Sequence, residues 1–396
     1  MPFRTLFGKD RKASAAMSDF QIVNALLAAP EGVKCGGVLV RDGLISVFDP
    51  EACPQSSTRI DFEGDWLLPG LVEMHTDTLE KHMSPRPGVI WPEPLGAVLA
   101  HDAQLVAAGI TTVFDAVSVG IFDERSPRRA LFDLSLDALS QARERGLLRA
   151  DHYLHLRCES PDPAVIEMFE SRADDKALRL VSLMDHTPGQ RQWVDLEKYR
   201  TYHRNKHWTD AELAANVAMR QDIQKRNSRR HRAKLLEKCA GLNVILASHD
   251  DTLPEHAEET HRDNMRISEF PTTLEAAARA RELRLTVVMG APNVVRGESH
   301  SGNVSAMELA EKGLLDGLSS DYMPASLLHA AFILRDALGL EMHRAVAMVS
   351  GSIARAVGLD DRGEIAPGKR ADLLRVREMN GVPVVVGVWR QGMRLL

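Results

Sequence analysis

Side chains that can bind a divalent metal ion follow short, mostly apolar segments at several places in the chain. His75 and Asp77 stand two residues apart after the segment that begins at Pro69. Residues two apart in an extended strand point to the same face, so these two side chains can chelate one ion. Candidates of the same kind follow other apolar segments at Glu159, His186, His249 and Asp321.

This mixture of imidazoles and carboxylates, without cysteine, suits Zn²⁺, with Mn²⁺ and Fe²⁺ as alternatives. Six potential ligands exceed the number that one tetrahedral ion takes, so the sequence predicts two divalent ions. Each residue taken alone could equally be a helix cap or an ion-paired side chain. Six such residues at one rim would require independent coincidences, which favours the metal interpretation.

The elements that would bring these residues together are parallel strands. Between residues 67 and 359, short apolar segments alternate with helical stretches, which is typical of repeated βα units. Eight strands are predicted, and they end near Met74, Asp115, Cys158, Asp185, Ser248, Glu269, Met289 and Ser320. Eight is the number that closes a (β/α)8 TIM-like barrel, whose active site lies at the carboxyl ends of the strands. We expect this metal-dependent hydrolase barrel to cover residues 67–361.

The two ends of the chain are rich in β-strand signals. Asp42-Gly43 joins two apolar runs as a hairpin turn, and a second hairpin is expected between residues 371 and 389. Each segment alone would expose an apolar face, so we expect 19–66 and 362–396 to pair as a small composite β-sandwich. Residues 1–18 lack a secretory apolar region and are expected to form a disordered leader.

Composition excludes several classes of protein. The chain has 396 residues, 44% of them hydrophobic, which is enough for a large core. Its net charge of −6 provides no overall cationic field for nucleic acid or an anionic membrane. The longest apolar runs fall short of the roughly 20 residues that span a bilayer. The four cysteines form no CxxC pair and suggest no disulfide framework, so we expect a cytoplasmic protein. We expect its partner to be a small molecule. Homo-oligomer formation stays open.

Two longer motifs carry a family resemblance. The segment Pro69–His75 and the segment Gly363–Leu373 resemble the amidohydrolase superfamily, which has a metal-bearing barrel and a small β-sandwich made of both termini. Five further stretches resemble the triphosphate diphosphatases of the carbon–phosphorus lyase pathway of phosphonate catabolism. They are His75–His82, Pro85–Gly88, Asp185–Gln192, Glu269–Thr273 and Ser299–Asn303. This resemblance implies release of pyrophosphate from alpha-D-ribose 1-methylphosphonate 5-triphosphate.

The resemblance also implies roles for the candidate ligands. His75-x-Asp77 stands where the superfamily usually has His-x-His, and this departure leaves the second ligand of the first metal open. Glu159 would take the place of the bridging carboxylate, and Asp321 matches the final-strand base. His186 and His249 would hold the second metal. By our strand count these two residues follow strands four and five, whereas the superfamily generally uses five and six. Either a strand is miscounted or the ligand set is shifted.

A triphosphate needs local cations because the net charge of the protein is negative. The candidates in segments near the predicted rim are Lys81, His82, Arg86, Arg157 and Arg191, and the loop with His300 and Ser301 could bind phosphate through small polar residues. Each could instead be a solvated or ion-paired surface residue. The basic run 220–234 has acidic neighbours and no interleaved aromatics, which indicates a solvated helix.

Two other functions remain open at this point. The same fold could hydrolyse a C–N bond, as in a deacetylase or a cyclic-amide hydrolase, because metal ions activate water equally well for a carbonyl. The number of cations at the rim favours the triphosphate. A non-catalytic scaffold would typically lack metal ligands, and no expected ligand position is empty in this sequence.

Overall fold

Two eight-stranded β-sheets organise the chain. The structure, a computed structural model, describes residues 19–47, 58–120, 128–299 and 302–396. The predicted leader 1–18 and the predicted substrate-binding residues His300 and Ser301 lie outside these ranges. One sheet is built from both ends of the chain, and the other is built from its middle.

The terminal sheet confirms that the two ends of the chain fold together. Its strands are Phe20–Ala29 (β1), Gly32–Arg41 (β2), Leu44–Val47 (β3), Thr58–Asp61 (β4), Trp66–Pro69 (β5), Leu373–Met379 (β14), Val382–Arg390 (β15) and Met393–Arg394 (β16). The predicted Asp42-Gly43 turn joins β2 to β3, and both residues have positive φ, as a two-residue hairpin turn requires. The division at residue 67 stays a prediction, and β5 pairs with β14 across that position.

The central sheet is the predicted parallel barrel. Its strands are Leu71–Thr76 (β6), Ile110–Val119 (β7), Asp151–Glu159 (β8), Leu178–Met184 (β9), Ile245–His249 (β10), Ile267–Glu269 (β11), Thr286–Gly290 (β12) and Gly317–Ser319 (β13). Each strand pairs in parallel with its neighbours in chain order. All ten residues of β7 are buried, as expected for a parallel strand covered on both faces. The (β/α)8 fold class is therefore confirmed.

Helices surround the barrel and pack on its strands through three hydrophobic clusters. They are Thr78–Met83 (α1), Pro94–Ala107 (α2), Arg128–Glu144 (α3), Val165–Glu170 (α4), Leu196–Tyr202 (α5), Asp210–Cys239 (α6), Pro254–Arg262 (α7), Leu274–Glu282 (α8), Ala291–Arg296 (α9), Ala306–Glu311 (α10), Ser326–Leu338 (α11), Met342–Ala347 (α12) and Gly351–Ala356 (α13). Among the described helices, none is long and apolar enough to cross a bilayer.

The first and last barrel strands meet at the residues that matter most for the site. The backbone N–H of Asp321 donates to the carbonyl of His75 at 3.0 Å, and the N–H of Asp77 donates to the carbonyl of Asp321 at 2.9 Å. Below this junction, buried Glu73 accepts hydrogen bonds from the backbone N–H groups of His75 and Ser320. Burial raises the pKa of Glu73 to about 8. The closure of the barrel therefore fixes His75, Asp77 and Asp321 relative to one another.

A buried charged network links the second and third barrel strands to helices α1 and α2. His101 Nε2 donates to Asp115 Oδ1 at 2.7 Å, and His152 Nδ1 donates to Asp115 Oδ2 at 2.8 Å. On the other side of His101, the Thr78 hydroxyl lies 3.2 Å from Nδ1. Burial disfavours charge on His152, but Asp115 and Asp102 raise its pKa to about 9. His152 and Asp115 thus form an ion pair that is removed from water.

We predict that Asp115→Asn lowers the free energy of unfolding by about 3 kcal/mol, because it leaves the His152 cation buried beside a neutral amide. Urea denaturation at a fixed concentration of divalent metal measures the change. Asp133→Asn removes a half-exposed carboxylate on α3 and should cost less than about 1 kcal/mol. Equal effects of the two substitutions would show that the buried pair does not stabilise the fold.

Candidate metal centre

The carboxyl ends of the barrel strands open into one cavity of about 500 Å³. Every predicted metal ligand lines it: His75, Asp77, Glu159, His186, His249 and Asp321. These residues come from five different strands or the loops that follow them, as the strand-end argument requires. The metal ligands themselves stay a prediction, but the residues proposed for that role are brought together in space.

The first cluster of ligand atoms joins the two edges of the barrel. Atoms of His75, Asp77 and Asp321 all lie within 4.8 Å of one another. Burial and the Arg157 guanidinium hold the pKa of His75 well below its usual value, so the imidazole is neutral. Burial acts in the opposite direction on Asp77, but Arg157, whose Nη1 donates to Asp77 Oδ1 at 2.7 Å, lowers the pKa of that carboxyl. Both groups are thus in the protonation state that binds a cation.

The second cluster lies on the fourth and fifth barrel strands. Asp250 Oδ2 lies 2.9 Å from His249 Nδ1 and 3.2 Å from His186 Nε2. Glu159, at the end of β8, hydrogen-bonds to the other ring nitrogen of His186. Burial acts to raise the pKa of Asp250, yet His249 and His186 hold it below the usual range. The carboxylate is therefore ionised and faces two imidazoles.

Glu269 lies between the two clusters. Its Oε1 is 3.2 Å from His75 Nδ1, and its ligand atom falls in one group with those of His75 and His249. Glu269 is fully buried, and burial raises its pKa. His75 and His249 themselves approach with ring centroids 5.6 Å apart. The two clusters are therefore continuous through buried polar side chains.

Left-handed backbone conformations place several of these residues. Asp250, Phe270 and Asp321 follow the ends of β10, β11 and β13, and each has φ between +53° and +57°. For a residue other than glycine, this conformation is less stable by about 1 kcal/mol or more in free energy. The conformation turns the chain sharply at the end of the strand, and all three side chains line the cavity. The packing of Phe270 against His75 and His249, with centroids 5.0 and 5.1 Å apart, restricts both rings.

Several buried polar atoms in the centre lack a hydrogen-bond partner among the described residues. They are both ring nitrogens of His249, Oδ2 of Asp250 and Oε2 of Glu269; the 2.9 Å contact between His249 Nδ1 and Asp250 Oδ2 is an ion-pair contact without the geometry of a hydrogen bond. Unsatisfied buried polar atoms cost about 1–3 kcal/mol each, more when charged, so native proteins rarely keep them without a function. Imidazole nitrogens and carboxylate oxygens are the donors that Zn²⁺ and Mn²⁺ take. The residues present therefore fit a divalent metal site.

The strand count resolves one alternative left by the sequence. The structure has eight barrel strands, and His186 and His249 lie at the ends of the fourth and fifth. No strand was miscounted, so a ligand set shifted by one strand is the alternative that stays a prediction. Glu269, on the sixth strand, stands where that pattern has a histidine.

The structure places the predicted phosphate-binding cations in four different environments. Arg157 lines the metal cavity, while Lys81 and His82 line a neighbouring cavity with Trp91 and Met323. Arg86 is exposed and lines neither cavity. Arg191 is 7% exposed and pairs with Asp251 and Glu259, which places it in the structural support of the site.

Sequence reasoning missed several residues of the cavity. Asp250 directly follows His249, and Glu269 is the last residue of a predicted strand, so both carried the same signal as the predicted ligands. The helical segment 191–239 supplies Trp193, Tyr202, His203, Lys206 and Arg220 to the cavity wall. Nothing in its amphipathic pattern distinguishes these residues from a solvated surface, and only the tertiary structure shows them.

Comparison with known proteins places the chain beside one family model and one curated relative. Residues 248–379 match the family model described as the amidohydrolase family. The chain is 44% identical over 377 residues to the alpha-D-ribose 1-methylphosphonate 5-triphosphate diphosphatase of Escherichia coli (strain K12), covering 94% of this chain and 99% of that protein.

Solved structures with the same fold are far more distant in sequence. An N-acetylglucosamine-6-phosphate deacetylase from Pasteurella multocida has a TM-score of 0.60 at 12% identity, with coverage of 95% of this chain and 99% of its own. A dihydropyrimidinase from Brevibacillus agri has a TM-score of 0.59 at 13% identity, with coverage of 96% and 95%. At these identities the likeness shows the fold alone.

We predict that Asp250→Asn weakens Zn²⁺ binding at least tenfold, because it replaces an anionic donor between two imidazoles with a neutral amide. Competition with a chromophoric chelator, on protein stripped of metal, measures the affinity. Asp222→Asn, which removes an exposed carboxylate on α6, is the matched control. An unchanged affinity in Asp250→Asn would remove this residue from the metal centre.

Proposed function

The chain belongs to the amidohydrolase family and, within it, to the family of the diphosphatase described above, and we propose that it releases pyrophosphate from alpha-D-ribose 1-methylphosphonate 5-triphosphate. The observation that carries this proposal is 44% identity over almost the whole of both chains. The cavity at the barrel rim supports it, because acidic and imidazole side chains there are arranged for cations and a cationic side chain lies beside them.

We propose that the centre holds two divalent ions, with Zn²⁺ as the first choice. His75, Asp77 and Asp321 would hold one, and His186, His249 and Asp250 would hold the other. Glu269 is the carboxylate placed between the two clusters, whereas Glu159 orients His186 through a hydrogen bond. When bound, such ions lower the pKa of a water molecule towards neutrality and neutralise phosphate charge.

The side chains of the protein then position the reactants. Water attacks the α-phosphorus in line, an O–P bond forms, and the bond from that phosphorus to the oxygen bridging the β-phosphate breaks. Pyrophosphate leaves, and the ribose phosphonate keeps one 5-phosphate. Because pyrophosphate is a good leaving group, the reaction depends on positioning and charge neutralisation more than on a strong general acid.

Asp321 is the proposed acceptor of the proton from water. Burial and the nearby Asp77 raise the pKa of Asp321 to about 6, so its carboxylate is a better base than a solvated aspartate. The backbone bonds to His75 and Asp77 hold Asp321 at the rim. Arg157 remains charged in this buried site and compensates the two aspartates.

Hydrolysis of a C–N bond is the alternative that this fold also supports. The deacetylase and the dihydropyrimidinase are 12–13% identical to the chain, and their likeness does not extend to the reaction. The diphosphatase is identical at 44% of positions. A non-catalytic scaffold is disfavoured because a protein without a bound ion would gain stability by losing the unpartnered buried donors of the metal centre.

The proposed activity predicts stoichiometric release of pyrophosphate and ribose 1-methylphosphonate 5-phosphate from the triphosphate. A coupled pyrophosphate assay, with ³¹P NMR of the products, measures it in metal-loaded protein. Amide substrates such as N-acetylglucosamine 6-phosphate and dihydrouracil provide the comparison. Turnover of an amide without pyrophosphate release from the triphosphate would replace the proposal with the C–N hydrolase.

Asp321→Asn should lower kcat at least a hundredfold, because the amide cannot accept the proton of the attacking water. Elemental analysis and thermal unfolding of the same preparation would establish that the fold and at least one metal ion are retained. An active variant that keeps its metal would exclude Asp321 as the base.

A further inference from the structure

A helical segment inserted between β9 and β10 forms one wall of the cavity. We call residues 191–239 the excursion. It contains a single turn at Arg191–Trp193, α5, a second turn at Arg204–Lys206, and the 30-residue helix α6. Thr209 and Glu212 cap the start of α6 with reciprocal hydrogen bonds, which fixes where that helix begins. The excursion thus has a defined structure that faces the metal centre.

Aromatic packing holds the part of the excursion that reaches the cavity. Trp193 packs on Tyr202 at 4.8 Å between ring centroids, and His203 packs on Tyr199 at 4.4 Å and on Tyr202 at 5.1 Å. Trp208 closes the cluster against His203 at 5.6 Å. Since Trp193, Tyr202 and His203 also line the cavity, this aromatic cluster forms part of the cavity wall.

Two cationic side chains, Arg220 and Lys206, lie on this wall of the cavity. Arg220 on α6 lines the cavity, and its Nη1 donates to the Tyr199 hydroxyl at 3.3 Å. Lys206 also lines the cavity, with Nζ 5.5 Å from the Trp208 ring centroid, and within the described ranges no carboxylate pairs with it. Burial, together with Lys206 and Arg220, lowers the pKa of His203 to about 4. His203 is therefore neutral, and the positive charge on this wall comes from the two longer side chains.

The opposite side of the cavity has the reverse charge. It is lined by the carboxylates of Asp77, Glu159, Asp250 and Asp321 beside the imidazoles. Arg157 is the cationic side chain on this side of the cavity. Strand β12 and the segments after β11, β12 and β13 contribute mainly neutral side chains, among them Phe270, Met289, Asn293, Asn303 and Tyr322. If the proposed divalent ions compensate the acidic side, a ligand that fits this cavity carries negative charge at both the metal centre and the excursion, with a less charged part against the loops.

Resting on the proposed function, we propose that Lys206 and Arg220 of the excursion bind the β- and γ-phosphates, the part of the substrate that leaves as pyrophosphate. The β,γ-pyrophosphoryl end carries about three negative charges, whereas a methylphosphonate ester carries one. Lys206 is exposed and Arg220 is half-buried, and two neighbouring cations attract the more highly charged end of the substrate more strongly. The ribose and its phosphonate then lie against the neutral loops.

Pyrophosphate binding to the metal-loaded protein tests the subsite directly. Lys206→Gln and Arg220→Gln should each raise the Kd for pyrophosphate about tenfold, as expected for the loss of one charged hydrogen bond. Lys225→Gln, an exposed lysine on α6 that lines no described cavity, should leave the Kd unchanged. Isothermal titration calorimetry measures all four proteins. Equal Kd values in the wild type and in both variants would overturn the proposal.

Two further measurements test the alternatives. One separates a local effect on binding from a folding defect, and the other separates binding of pyrophosphate from binding of the phosphonate end of the substrate. Arg220→Lys keeps the charge and should restore most of the pyrophosphate affinity that Arg220→Gln loses. Methylphosphonate should bind the wild type and Lys206→Gln equally. If Lys206→Gln weakened methylphosphonate but not pyrophosphate, the excursion would bind the phosphonate end, and the assignment would be wrong.

The outcome also separates this inference from the proposed function. With the triphosphate as substrate, Lys206→Gln should raise KM about tenfold with a smaller change in kcat. Pyrophosphate binding that depends on Lys206, without release of pyrophosphate from the ribose phosphonate, would keep the subsite and reject the substrate. Release of pyrophosphate with no dependence of binding on Lys206 or Arg220 would keep the reaction and reject the subsite.

Discussion

Acidic and imidazole side chains are buried together at one end of the barrel, and the electrostatic cost of that burial governs the architecture around them. Asp77 and Asp321 are adjacent acids, and burial and mutual repulsion raise the pKa of Asp321. Arg157 compensates part of this charge from the next wall of the cavity. The ring nitrogens of His249 and Oδ2 of Asp250 still lack hydrogen bonds. Divalent cations would bind these atoms, so both the stability of this buried cluster and the proposed reaction depend on a bound cation.

Main-chain hydrogen bonds at the closure of the barrel hold the acidic residues of the site in place. Asp321 is joined to His75 and Asp77 by main-chain hydrogen bonds, and Glu73 receives N–H groups from both edge strands underneath. The ion pair of His152, on β8, and Asp115, on β7, connects to Thr78 through His101. Because these contacts are buried and fully polar, they restrict the geometry more strongly than apolar packing alone would.

The fold could be predicted from sequence to a large extent. The expected strand ends at Met74, Cys158, Ser248 and Ser320 lie within two residues of the observed ends, because apolar segments followed by polar residues mark where a buried strand leaves the barrel. The candidate site was predicted in part. Arg157 and Arg191 were both predicted as phosphate-binding cations, yet Arg157, inside β8, lines the cavity, and Arg191, seven residues after β9, pairs with Asp251. The direction of a side chain after a turn depends on backbone angles such as the positive φ of Arg191, which residue type does not specify.

The sequence alone determined the eight βα units, the pairing of the two termini and the set of residue types suited to divalent metals, since periodicity and ligand chemistry are local properties. Tertiary structure decided which of those residues share a cluster, that Glu269 lies between the clusters, and that the excursion returns to the cavity with Lys206 and Arg220. These are contacts between segments far apart in the chain. They arise from barrel closure and from the packing of an aromatic cluster, and neither leaves a periodic signal in the sequence.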